Sequence, residues 1–152
     1  MPFDAIFVDS GRGVHKLGIG IVTSSEIMAS TLDDTHNEAR GRQIRYALIE
    51  FSQTTELRVT PDFIPQIVEI SRKSASFSPG ALVAIVAPNP FAFAMSRAWQ
   101  SFSGSLGLNT RVFQTASEAK VWLRKELRID GETGDVLNEF PSLNEERSSA
   151  ER

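Results

Sequence analysis

The chain has 152 residues, 41% of them apolar and 23% charged, the size and balance of one globular domain with one real core. It contains no cysteine, which excludes disulfides and thiolate metal sites and suits a reducing compartment. The net charge of −3 belongs to the C-terminal end: residues 128–152 hold seven acids and three arginines, while the other 127 residues hold 13 Lys and Arg against 12 acids. A nearly neutral body lacks the positive surface that neutralises phosphates, so nucleic acid is not an expected partner.

The start, "MPFDAIFVDS", has neither a basic opening nor a long apolar run, and no signal peptide is expected. The longest apolar run, "ALVAIVAP", falls far short of the roughly 18 residues of a membrane span. The expectation is a soluble, cytoplasmic protein.

"FDAIFVD" and "VHKLGIGIV" read as two strands joined by "SGRG", a hairpin whose glycines supply the positive φ of a tight turn. Asp9 and Ser10 are turn formers there, and His15 beside Lys16 reads as a surface or edge position. Gly11, Gly13, Gly18 and Gly20 have the wrong spacing for a dinucleotide fingerprint.

A helix follows in "TSSEIMASTLDDTHNEARGR". Ser24 or Ser25 is its cap, Ile27, Met28, Thr31 and Leu32 fall at helical spacing, and Gly41 suits its stop. "IRYALIEF" reads as a buried strand. The next helix starts at an Asp62 cap, with Pro65 in the first turn where its missing N–H costs nothing. It runs to about Ser74 with Ile64, Ile67, Val68 and Ser71 on one face.

"ALVAIVAP" is a central strand covered on both faces. Pro88 ends it, Asn89 caps the helix after it, and Pro90 takes the first helical position. On a helical wheel Phe91, Ala92, Ala94, Met95, Ala98, Trp99, Phe102 and Leu106 share one broad face, read as the core stripe, and Gly104 and Gly107 close the helix. "TRVFQ" is a short strand. "TASEAKVWLRKEL" is a helix with a Thr115/Glu118 capping box and a buried stripe of Ala119, Trp122 and Leu123.

The order is a β-hairpin followed by alternating α and β, an α/β fold with a mixed sheet of about five strands and about four helices. The domain spans residues 1–127. Residues 128–152 form an acidic tail without periodicity, expected to be disordered.

The wheel leaves Phe93 on the opposite face, beside Ser96, Arg97 and Gln100. An aromatic next to an arginine suits an interface core, so Phe93, Arg97 and Gln100 are the candidate interaction residues. Packing of Phe93 beneath a neighbouring loop or the tail is the competing explanation.

"VAIVAPNPFAFAMSRAW" followed by "GLNTRVFQTASEAKVWL" resembles bacterial SpoIIAA-like proteins of the STAS/SEC14-type fold class, and the resemblance covers about residues 3–127. It implies the same hairpin-first α/β fold. The class includes anti-sigma-factor antagonists, which bind proteins and are switched by phosphorylation, and carriers of apolar ligands. In the antagonists the phosphorylated serine lies in an Asp-Ser-Ser-Gly element after the third strand. The matching stretch here, "TTELRVTPDF", lacks that element, and Thr60 is its nearest hydroxyl, just outside the helix. A phosphate near a helix start is stabilised by free N–H groups, which makes Thr60 the candidate phosphorylation site.

Catalytic patterns are scarce: no cysteine nucleophile, no Gly-x-Ser-x-Gly elbow and no Walker loop. Asp33 and His36 in "DDTHNE" have a spacing that two metal ligands share, but the third ligand and the usual histidine pair are missing, and a solvated helix face explains the cluster. No metal, cofactor or enzymatic activity is expected. The sequence thus favours a non-catalytic interaction or regulatory domain, a homodimer or another protein's partner. A carrier or sensor of a small apolar ligand, held beyond the strand ends near "APNPF" and "FSQTT", is the alternative.

Overall fold

A computed structural model describes residues 3–129 of the chain. Strands β1 (Phe3–Val8) and β2 (Gly13–Thr23) form the expected hairpin around a short 3₁₀ turn at Asp9–Gly11. Helices α1 (Ser24–Asp33) and α2 (Glu38–Gln43) lead to β3 (Tyr46–Arg58). Then come α3 (Phe63–Phe77), β4 (Leu82–Val86), α4 (Pro90–Ser103), β5 (Asn109–Phe113) and α5 (Ala116–Ile129).

The five strands lie in sequence order, β1-β2-β3-β4-β5, with only the β1–β2 pair antiparallel. This order decides where the helices go. Three parallel crossovers step in the same direction across the sheet, and each is right-handed by rule, so their helices land on the same face. Side chains of α1, α3 and α4 accordingly pack together over Phe3, Phe51, Val83 and Ile85. The chain crosses the last edge only after β5. There α5 returns over the other face, setting Ala119, Trp122, Leu123 and Leu127 against Tyr46, Leu48, Leu82, Ala84 and Val86. β4 is buried at every residue, as its unbroken apolar run requires.

Several local signals hold. Asn89 Oδ1 accepts from the N–H groups of Phe91 and Ala92, and Pro90 opens α4. Thr115 Oγ1 accepts from Glu118 N–H at 3.2 Å and donates to its carboxylate, capping α5 with the two residues expected. Ile64, Ile67, Val68 and Ser71 are all buried on α3. Gly107, at φ 76°, takes the left-handed position behind α4.

Three expectations are corrected. The cap of α1 is Thr23, not Ser24 or Ser25; its hydroxyl and the Glu26 carboxylate form a capping box. The single helix expected over residues 24–41 is two, because Asn37 Oδ1 accepts from Arg40 N–H and starts α2 anew. Gly41 therefore stops nothing. It lies inside α2, where an added Cβ would stand 2.7 Å from the Phe77 ring, so its bareness lets α2 approach α3.

The third concerns α4. Ala92, Met95, Ser96 and Ser103 are its buried residues, whereas Phe91 and Phe102 are 46% and 51% exposed. The buried stripe is turned from the wheel's apolar centre toward the small hydroxyls. Ser103 explains part of this: its Oγ donates to the Gln100 carbonyl and bonds Thr110 Oγ1 at 3.1 Å, so it can be buried at little cost.

The acidic tail lies outside the described residues apart from Arg128 and Ile129, which continue α5.

Gly41→Ala gives the packing of α2 a test whose sign is unusual. Within a helix this change stabilises by about 1 kcal/mol. Here it crowds Phe77, and overpacking lowers unfolding free energy by about 1–3 kcal/mol in urea titrations. A more stable variant would show that α2 does not press on α3.

Candidate functional site

Strand β2 contributes two ionisable residues in succession, His15 and Lys16. Adjacent strand residues point to opposite faces, so His15 and Lys16 enter different layers. Register places His15 beside Leu48, on the α5 side, and Lys16 beside Ile49, on the side of α1–α4.

On the α5 side His15 Nε2 stands 3.0 Å from Glu50 Oε1, with exposures of 0% and 2% for the two residues. Burial pushes the Glu50 carboxyl up. The hydrogen bond and charge of His15, the Ser52 hydroxyl at 3.1 Å and the charge of Lys120 together outweigh burial and hold it below its ordinary value of 4.5. His15 is thus neither at the surface nor at an edge, in contrast to the sequence expectation.

On the other side a cavity of about 210 Å³ lies between the sheet and helices α1–α4. Its walls are mainly apolar, formed by side chains such as Val14, Ile49, Phe63, Ile67, Met95 and Trp99. One end is charged. Lys16, only 6% exposed, sends its ammonium to Asp34 Oδ2 at 2.6 Å, and both residues line the cavity. Arg40 also lines it, with its guanidinium 4.4 Å from the centre of the Phe7 ring. Asp34 follows the last turn of α1, and Arg40 lies in α2, so the connection that sequence reading missed forms the charged end. The His15–Glu50 pair lines none of this space.

The sequence-derived candidates lie elsewhere. Phe93 and Gln100 are half-buried and Arg97 is exposed, all on a flank of α4 next to its buried stripe; their neighbour Ser96 is buried rather than exposed. Thr60 is exposed just before α3. Its carbonyl accepts from Phe63 N–H at 2.9 Å and its hydroxyl bonds Asp62, which holds that carboxyl below its usual range. Asp62 caps α3 by position but makes no side-chain cap bond. Asp33 Oδ1 and His36 Nδ1 are 3.6 Å apart on the surface, and among the described residues no three metal-ligating side chains gather.

Lys16 and Asp34 were the functional candidates that sequence reading passed over. The signal was present in "VHKLGIGIV": two adjacent ionisable residues in an apolar strand cannot both reach solvent if both faces are covered. Asp34 was hidden in "DDTHNE", a run that reads as uniformly solvated until a helix break turns one acid inward.

No protein-family model matches the chain. No curated protein matches it. Among solved structures, an uncharacterised protein of the DUF3478 family from Shewanella loihica PV-4, with a SpoIIAA-like fold, matches at a TM-score of 0.51 and 15% identity. The match covers 80% of this chain and 91% of that one. The chain has a SpoIIAA-like, STAS-type fold, the class that its alternating elements and its "VAIVAPNPFAF" corner resemble. Among the described residues no helix is long and apolar enough to cross a membrane.

Glu50 makes stability depend on acid in a defined direction. Its folded-state value lies below the unfolded one, so its contribution is complete above pH 4.5 and is lost as pH falls through the depressed value. Unfolding free energy measured from pH 6 to pH 3 should fall less steeply for Glu50→Gln than for the parent chain; parallel curves would contradict an ionised Glu50.

Proposed function

We propose that this chain is a non-catalytic binding domain that takes a small apolar ligand into the cavity beneath α1–α4, as a carrier or sensor. The observation that carries this reading is an apolar cavity closed at one end by buried charge. Ligand sites are typically concave and mostly apolar, with few polar groups that orient the guest. An apolar cavity of 150 Å³ already admits benzene, so 210 Å³ admits a body of roughly eight or nine non-hydrogen atoms.

The proposal that the domain is not an enzyme rests on chemistry. The buried acid–base pair, His15 and Glu50, is enclosed on the other side of the sheet from the cavity. The groups at the cavity's charged end are a lysine, an arginine and one carboxylate, a set suited to recognition.

Self-association is a second reading, favoured by the exposed aromatics of α4. Phe91 and Phe102 lie eleven residues apart, three helical turns, on the same side of α4 about 16 Å from each other. Arg97 extends the same helix's outer surface, and Phe93 and Gln100 flank it. Replacing both Phe91 and Phe102 by Ser should convert a dimer to a monomer in sedimentation velocity at unchanged thermal stability. A parent chain that sediments as a monomer at all concentrations removes this second reading.

Trp99 lines the cavity and Trp122 lies on the opposite side of the sheet against Phe113, so Trp122→Phe leaves a single reporter of the site. Titration with toluene should change Trp99 emission saturably. At a hundredfold excess over Kd it should also raise stability by about 2.7 kcal/mol. Ala47→Leu, which fills part of the cavity from β3, should abolish both effects in a folded protein. Without a saturable change in the parent chain, the ligand-binding reading fails.

A further inference from the structure

Lys16 is a cation in the middle of a strand, its side chain enclosed beneath helices and beside an apolar cavity. A buried ammonium is tolerated only with an anion next to it. The sheet does not supply that anion. It comes from Asp34 in the α1–α2 connection, whose side chain is still about one-third exposed. Arg40 brings a second cation to the same end; its guanidinium lies 4.0 Å from the carboxylate of Asp33, which is itself mostly exposed and does not line the cavity. Along the lining, two cations thus face one carboxylate, and that carboxylate sits on a connection between helices rather than in the sheet.

We propose that the cavity's ligand is a small monocarboxylate with an apolar body, a medium-chain or aromatic acid, whose carboxylate takes the place of Asp34 on Lys16. This inference rests on the ligand-binding reading above and adds the charge and chemical class of the guest. The apolar body occupies the space among Ile49, Met95 and Trp99, and the head lies against Lys16 with Arg40 adding positive potential. Asp34 acts as an internal stand-in for the ligand's head and competes with it. Binding moves Asp34 and its connection outward, so the bound and free forms differ at the α1–α2 surface.

Octanoate, 1-octanol and octylamine share one apolar chain and differ in head charge, so isothermal titration of the full chain with each separates charge from burial. Octanoate should bind at least about tenfold more tightly than 1-octanol, the worth of one hydrogen bond to a charged group. Octylamine should bind more weakly than either. Lys16→Met should erase the preference while leaving 1-octanol binding in place. Asp34→Asn, which takes the charged partner from Lys16, should tighten octanoate binding by about tenfold in protein that keeps a cooperative thermal transition. A purely structural Lys16–Asp34 pair predicts no such gain. Equal binding of octanoate and 1-octanol to the parent chain, or weaker octanoate binding in Asp34→Asn, overturns the proposal and leaves the apolar site standing. Failure of all three probes removes the site itself.

Discussion

The alternation of β2 is the constraint from which the functional layout follows. Paired with β1 and β3, the strand has one fixed register, so His15 must face α5 and Lys16 must face the four-helix layer. Each face has to find a partner for an ionisable group that it cannot expose. The α5 side does so with Glu50 from the neighbouring strand, two positions along from the Leu48 that pairs with His15. The helical side does so from above, with Asp34 on a connection between two helices. A rigid partner answers the first group, and a peripheral one answers the second.

That difference separates, within a single strand, a sealed pair from one that borders a cavity. The His15–Glu50 pair is sealed, and the sheet's own hydrogen bonds hold its backbone. Removing one member of such a pair leaves a buried charge uncompensated, which destabilises strongly. The Lys16–Asp34 pair borders a cavity, and its carboxylate is about one-third exposed. The short α2 that shields it is brought close to α3 by the bare Gly41 and stacks Arg40 on Phe7. A segment of six residues has little helical stability of its own, so its position depends on these few contacts.

Much of the fold was legible because the sequence states it redundantly. The apolar run at residues 81–87, the Pro-Asn-Pro corner and the Thr115/Glu118 box each name a boundary by local chemistry, and the structure has those boundaries. Right-handed crossovers then leave few ways to arrange alternating strands and helices. The failures came where tertiary placement overrides a one-dimensional pattern. The wheel of α4 ranks Phe91 and Phe102 as core, yet the helix turns Ser96 and Ser103 inward because Thr110 gives Ser103 a partner. A wheel finds the apolar arc and cannot say which part of it meets the sheet. The charged end of the cavity was illegible for a related reason. Lys16 and Asp34 are 18 positions apart and meet only after one helix has been laid across the sheet. Phe93, Arg97, Gln100 and Thr60, chosen for local character, take no part in that meeting.

The proposed role requires the space beneath α1–α4 to hold a small ligand. Native mass spectrometry of the full chain, purified gently from its own host, would detect that ligand. The prediction is a multiple of 16.8 kDa carrying additional mass that collisional activation removes as one small molecule per chain. Bare multiples of the chain mass, with nothing extractable by organic solvent, would contradict it.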